Sequence, residues 1–153
     1  MANGKKKNMI AVLQRVLKAR VTVDGQLVSE IGTGLLILLG VRKGDTEDKA
    51  RELARRCIQM RIFEDKDGKF NRSLEEVRGE ALVVSQFTLL ADTARGRRPS
   101  FTDAEVPDRA KFLYEFFLNR FAESGITARG GIFGARMIVS LDNNGPVTII
   151  MEE

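Results

Sequence analysis

Gly34-Leu35-Leu36-Ile37-Leu38-Leu39-Gly40-Val41 is the longest apolar run in the chain, and its reading decides the fold. It is far too short to cross a bilayer, which takes about 20 apolar residues. Its lack of polar alternation predicts a strand buried on both faces, or nearly so. Upstream, residues 9–16 read as a first strand, and Val21-Thr22-Val23 and Leu27-Val28 flank Asp24-Gly25, a two-residue hairpin signal. Downstream, Asp45 is expected to cap a helix running to about Met60, with Ala50, Leu53, Ala54, Cys57 and Ile58 at helical spacing. A second helix is predicted from Pro107, at a first-turn position, to a stop at Gly125, with Phe112, Leu113, Phe116, Phe117 and Phe121 on its apolar face. Further strands are expected near 81–90, 136–142 and 147–151. Glu64-Asp65-Lys66-Asp67-Gly68 lacks the later acidic ligand of a calcium loop and reads as a hairpin turn. The pattern predicts an α+β fold, with a mainly antiparallel, barrel- or sandwich-like sheet and two main helices covering one side. Residues 9–153 are expected to form a single domain, preceded by a flexible basic tail over residues 1–8.

Composition narrows the chemistry. Apolar residues make up 43% of the 153 and charged residues 30%, an ordinary soluble globular balance. The first eight residues lack an apolar core and form no secretory signal. There is no histidine, so an imidazole base, a Ser-His triad and a His-ligated metal are all excluded. Cys57 is the only cysteine and lies on the apolar stripe of a predicted helix, which makes it a buried small hydrophobe rather than a nucleophile. A reducing, cytoplasmic home is expected, with no membrane association, no cofactor and no metal site. The formal charge of +4 points to a polyanionic partner.

Two motifs carry candidate chemistry. Ser85-Gln86-Phe87-Thr88-Leu89 closes the apolar run Ala81-Leu82-Val83-Val84. As a strand it puts Gln86 and Thr88 on one face, Ser85 and Phe87 on the other. A polar pair at a strand end can orient a carbonyl while nearby N–H groups stabilise an oxyanion. The same residues also read as a plain strand end with Phe87 in the core. Asn143-Asn144-Gly145-Pro146-Val147-Thr148 reads as a turn whose proline opens a strand. With a cis Gly-Pro bond it would instead be a rigid wall of carbonyl oxygens able to accept from a ligand's ammonium group. The loop over residues 92–101 holds Arg95, Arg97 and Arg98, either a phosphate-binding cluster beside the first motif or solvated surface.

Taken together, Ser85-Gln86-Phe87-Thr88 and Asn143-x-Gly145-Pro146-Val147-Thr148 resemble the motifs of the D-aminoacyl-tRNA deacylases. So do residues 9–16, residues 34–40 and Arg97-Arg98-Pro99-Ser100-Phe101, and the likeness runs from Met9 to the end. The resemblance implies a homodimeric enzyme that hydrolyses the ester between a D-amino acid and the 3′-terminal adenosine of tRNA. It also implies removal of glycine mischarged onto alanine tRNA. Carried over, Gly145 and Pro146 hold the substrate's amino group by main-chain oxygens, with a cis bond between them, and reach into the partner subunit's site. Asn143 belongs to the same substrate-binding motif, and Arg15 orients the turn. Ser85, Gln86, Phe87 and Thr88 line the catalytic pocket. Thr88 is either a nucleophile or, as favoured here, a positioning residue for a reaction assisted by the substrate's 2′-hydroxyl. Two rival readings are a nucleic-acid-binding module without catalysis and an L-specific editing enzyme. Against the latter stands the Gly-Pro wall.

Overall fold

The computed structural model describes residues 8–153, so the expected basic tail lies outside the described residues except for Asn8. Strands β1 (Ile10–Val23), β2 (Gln26–Ile31) and β3 (Gly34–Gly40) lead into helix α1 (Glu47–Gln59). The short pair β4 (Phe63–Glu64) and β5 (Phe70–Arg72) follows, then β6 (Glu80–Ser85), helix α2 (Pro107–Glu123), β7 (Ala128–Gly130) and β8 (Ile138–Glu152). The main sheet has the order β2-β1-β3-β6-β7, with β8 on the other edge of β1. Strand β1 pairs antiparallel with β2, β3 and β8, while β3–β6 and β6–β7 are parallel. The α+β class with a mainly antiparallel sheet and two helices is what the sequence predicts.

Strand β3 lies at the centre, and its side chains feed two cores. Leu35, Ile37 and Leu39 join Leu13, Ala81, Val83, Leu53, Phe117 and Phe121 beneath the helices. Leu36 joins Val16, Ala19, Val21, Ile31, Leu82 and Val84 on the opposite face. Burial of both faces explains the unbroken apolar run.

Four local expectations are corrected. Residues 9–16 and 21–23 belong to one strand, because β1 gives one edge to β8 along most of its length and the other first to β3 and then to β2. The N-cap of α1 is Thr46, whose hydroxyl accepts from the Lys49 N–H at 3.2 Å, rather than Asp45. Asp45 turns back to accept from the Arg42 N–H at 2.6 Å, and burial pushes its carboxyl above the usual range. The strand expected over 81–90 stops at Ser85, and a 3-10 turn occupies Phe87–Leu90. The strands expected at 136–142 and 147–151 are one strand, β8, that runs through the Asn-Asn-Gly-Pro motif.

Helix α2 ends as expected. Gly125 has φ +80, the Ile126 N–H donates to the Phe121 carbonyl at 3.1 Å, and the Gly125 N–H to that of Ala122 at 3.0 Å. Phe112 sits outside the core, with the Arg109 guanidinium over its ring. The Asp24-Gly25 hairpin has positive φ at both turn residues, as a two-residue turn between twisted strands requires. Glu64-Asp65-Lys66-Asp67-Gly68 does form the tip of a hairpin, β4–β5. Cys57 is fully buried, and desolvation pushes its thiol up to about 12, so the reactive thiolate is suppressed. Among the described residues, no helix is long and apolar enough to cross a membrane.

Candidate active site

Parallel pairing with β3 carries β6 to Ser85, after which the Gln86 N–H makes one last bond to the Leu39 carbonyl at 2.8 Å. The chain then folds over Gly40 into the 3-10 turn. A side chain at Gly40 would lie 2.6 Å from Leu90 Cδ2 and 3.3 Å from the Gln86 carbonyl, so only glycine lets the turn sit this close. Leu90 is buried and anchors the turn's end. Phe87 is thrown outward, 57% exposed rather than in the core, and its ring meets Phe101 edge-on at 5.1 Å.

The N–H groups of Phe87 and Thr88 precede the turn's own hydrogen bonds and, among the described residues, have no acceptor. The Gln86 side-chain amide donates to Thr88 Oγ1. An amide N–H cannot take up the hydroxyl proton, so Gln86 orients Thr88 without activating it.

Beside this segment opens a cavity of about 700 Å³. Ser85, Gln86 and Phe87 form one wall, Thr88, expected with them, is not among the lining residues, and Phe101, Phe133 and Met137 stand among the apolar residues of the others. Glu105 is the one carboxylate in the lining. Both its oxygens are engaged, accepting from the Gly44 N–H at 3.2 Å and the Val106 N–H at 3.0 Å. Phe133, Met137 and Val139 were not foreseen as lining residues, because only the long-range placement of the β7–β8 connection and the start of β8 brings them here. Phe101 ends the Arg97-Arg98-Pro99-Ser100-Phe101 stretch, but nothing local marks it as a wall of the cavity.

Arg95, Arg97 and Arg98 lie exposed on the loop between Asp92 and Ser100, which close on each other through two backbone bonds of 2.7 and 2.9 Å. None of the three has an ion-pair partner among the described residues. The loop leads directly into Phe101 and the cavity wall.

The second motif is built differently and stands elsewhere. Pairing between β1 and β8 slips between Gln14 and Val16 and again between Val16 and Lys18, opposite residues 143–148. Asn143 closes the resulting bulge. Its Oδ1 accepts the Val147 N–H at 2.7 Å, and its Nδ2 donates to the Val147 carbonyl at 3.3 Å and Thr148 Oγ1 at 3.1 Å. The side-chain amide thus stands in for a backbone partner. Arg15, only 5% exposed, holds the outer limb: its Nε donates to the Asn144 carbonyl at 2.9 Å and its Nη1 to the Ile62 carbonyl at 2.9 Å. Glu64 lies 3.8 Å from its Nη2. The Gly145-Pro146 bond is cis. Gly145 has φ +138, and a side chain there would come within 2.8 Å of Val147 Cγ2 and 3.2 Å of Arg15 Nη2.

Neither Gly145 nor Pro146 lines the cavity. Ser85 is in register with Leu39 and so with Ala11, whereas Gly145 lies opposite the slip around Arg15. The motifs are therefore about 13 Å apart along the strands and about 14 Å across three strand spacings. Arg15, Asn143, Gly145 and Pro146 come together; Ser85, Gln86, Phe87 and Thr88 come together; within one chain the two groups do not.

A single α+β domain with an apolar cavity, an unpaired Phe87 N–H on its wall, an unpaired Thr88 N–H in the next residue and, among the described residues, no activated side-chain nucleophile is equipped for acyl chemistry on an already reactive ester. The family model described as D-Tyr-tRNA(Tyr) deacylase matches residues 12–152, and the chain belongs to that family and is a hydrolase. It is 58% identical to the D-aminoacyl-tRNA deacylase of Roseiflexus castenholzii over 94% of this chain and 92% of the relative. It is 51% identical to that of Escherichia coli over 94% and 99%. Among solved structures it resembles a c-Myc DNA Unwinding Element Binding Protein, with TM-score 0.88 and 38% identity over 94% of this chain and 98% of the other. A probable eukaryotic D-amino acid tRNA deacylase shares the fold at TM-score 0.82 and 18% identity, covering 96% and 100%.

Proposed function

We propose that this protein hydrolyses the ester of D-aminoacyl-tRNA, and of glycine mischarged on alanine tRNA, in a homodimer. The observation that carries the reading is family membership over residues 12–152. The cavity and the unpaired Phe87 and Thr88 N–H groups give it a chemical form.

In this mechanism the two N–H groups receive the developing oxyanion. The ribose 2′-hydroxyl helps draw a proton from water as the water oxygen joins the carbonyl carbon. The ester C–O bond then breaks, and the leaving 3′-oxygen takes up a proton. An aminoacyl ester is activated enough that positioning and electrostatics serve. Thr88 positions the substrate, because Gln86 offers it only a donor.

The separation of the two motifs supports the homodimer: a site needing both would take Gly145 and Pro146 from the partner. The surface supports association. Val12, Leu38 and Ile150 are cross-strand neighbours on one face, Ile150 is 68% exposed, and the outer edge of β8 has no paired strand among the described residues. In the assembled site the Gly145 and Pro146 main-chain oxygens hold the ammonium group. An L side chain then points into packed backbone and a D side chain points away. Asn143 and Arg15 keep that turn in shape rather than touch substrate. Arg95, Arg97 and Arg98 meet tRNA phosphates beside the cavity.

Matched D- and L-aminoacyl-tRNAs, followed for ester loss, test the reading. Loss of the D ester and of glycyl-tRNA(Ala), with the L ester spared, is expected. Binding without turnover would leave a nucleic-acid-binding module, and loss of the L ester an editing enzyme of the other hand.

A further inference from the structure

Arg15 ties the Gly145 turn to a second element. The guanidinium that holds the Asn144 carbonyl also holds the Ile62 carbonyl, just ahead of β4, and stands 5.4 Å from the centre of the Phe70 ring in β5. The Gly145 turn and the β4–β5 hairpin are thus clamped to one buried cation. The hairpin tip is itself well fixed. Asp65 Oδ1 accepts the N–H groups of Asp67 at 2.8 Å and Lys69 at 3.0 Å, and the Asp65 N–H donates to the Lys69 carbonyl at 2.8 Å. These bonds hold the Asp65 carboxyl below the usual carboxylate range.

What this rigid tip presents is an aromatic ring. Phe70 is 52% exposed although Arg15 stands against it, and Glu64 is its cross-strand partner. Lys66 and Lys69 lie on the same hairpin without an ion-pair partner among the described residues. A ring backed by a cation on a fixed turn, with two free ammonium groups on the same hairpin, suits an unpaired nucleobase next to a phosphate.

We infer that the β4–β5 hairpin is a second RNA-contacting element, delivered to the partner's site together with Gly145 and Pro146, and that Phe70 stacks on a base of the single-stranded 3′ end of tRNA upstream of the terminal adenosine. This rests on the dimeric deacylase reading above. It adds a contact that depends on RNA and is indifferent to the amino acid.

The test compares wild type, Phe70→Ala, Phe70→Leu and Phe70→Trp on D-aminoacyl-tRNA and on the minimal ester D-aminoacyl-adenosine. Binding of uncharged tRNA is measured alongside. Wild-type turnover of the full substrate tests the deacylase reading by itself. For the stack, Phe70→Ala and Phe70→Leu should lower kcat/KM on tRNA and the affinity for uncharged tRNA by about ten- to a hundredfold. Phe70→Trp should restore both, and all four proteins should treat the minimal ester alike. Equal losses on both esters would mean that Phe70 only supports Arg15 and the turn. Rescue by leucine, or losses that scale with the size of the D side chain, would mean an apolar or amino-acid contact. Either outcome, or no loss at all, overturns the inference.

Discussion

Residues 85–90 and residues 143–148 are the two candidate halves of one site, and they are built in opposite ways. The first leaves the Phe87 and Thr88 N–H groups without acceptors and throws the Phe87 ring into the open. The second is pinned from several sides by the Asn143 amide and the Arg15 guanidinium. Under the proposed function the difference is a division of labour. A region that must receive developing charge keeps donors free, whereas a region that must exclude a shape is held where it cannot yield.

The sharpest test of that division lies in the substrate. With no activating base beside residues 85–90, a tRNA ending in 2′-deoxyadenosine should be hydrolysed about 10²–10⁴-fold more slowly, the range of general acid–base assistance. Single-turnover rates with the two tRNAs measure it. Near-normal turnover of the deoxy analogue would move the chemistry back to Thr88.

Next comes the clamp. Arg15→Met keeps length and apolar bulk while leaving the buried Ile62 carbonyl and the part-buried Asn144 carbonyl short of a donor. A loss of about 3 kcal/mol in unfolding free energy is expected, since breaking a buried charged contact leaves its partners unsatisfied. Activity should fall about a hundredfold, with discrimination against L-aminoacyl-tRNA falling too. Denaturant melts and paired D/L rates check both. Retained discrimination would show that the turn needs no holding.

Asn143→Ala is gentler, because β8 remains paired to β1 on either side of the bulge. It should cost about 1–2 kcal/mol for the unpaired Val147 backbone groups and lower activity about tenfold. An unchanged KM for D-aminoacyl-tRNA beside a reduced kcat would mark Asn143 as a positioning residue. A raised KM with kcat intact would make it a substrate contact.

Smaller again is the loop. Neutralising Arg95, Arg97 and Arg98 together should leave stability within about 0.5 kcal/mol, as expected of exposed side chains. Each lost phosphate contact should reduce the slope of log affinity against log salt by about 0.7–0.9. A titration of tRNA binding between low and moderate salt reads this directly, and an unchanged slope would return the loop to solvated surface.

Much of this was legible in sequence. The apolar run at β3 announced a strand buried on both faces, and Pro107 and Gly125 bracketed α2 to within two residues. What misled was local punctuation. Asn-Asn-Gly-Pro has every mark of a turn, yet β1 continues past it, so β8 absorbs the motif as a slip in register and goes on pairing. Ser-Gln-Phe-Thr carries strand composition, but β3 ends at Gly40, and the unpaired chain coils into a 3-10 turn. In the first place a long-range partner overrode the local signal, and in the second the end of one did. For the same reason Phe133, Met137 and Val139 joined the cavity unannounced.

The smallest predicted effect says most about the comparison. Thr88 is exposed, and its hydroxyl is tied only to the Gln86 amide. Thr88→Ala removes that bond from a solvated pair, so unfolding free energy should move by no more than about 0.5 kcal/mol. The backbone N–H at position 88 survives the substitution, and with it the proposed oxyanion contact. If residues 85–90 work through backbone donors, kcat should fall less than about tenfold, and Gln86→Ala should give the same small loss without adding to it in the double variant, because the two side chains act as one unit. If Thr88 were the nucleophile, its hydroxyl would be indispensable, kcat would drop several thousandfold at unchanged tRNA affinity, and rapid quenching of the wild type would trap an acyl group on Thr88. Measuring kcat for the two single variants and the double variant, beside the quenched wild type, separates a turn that offers its backbone from one that offers a side chain.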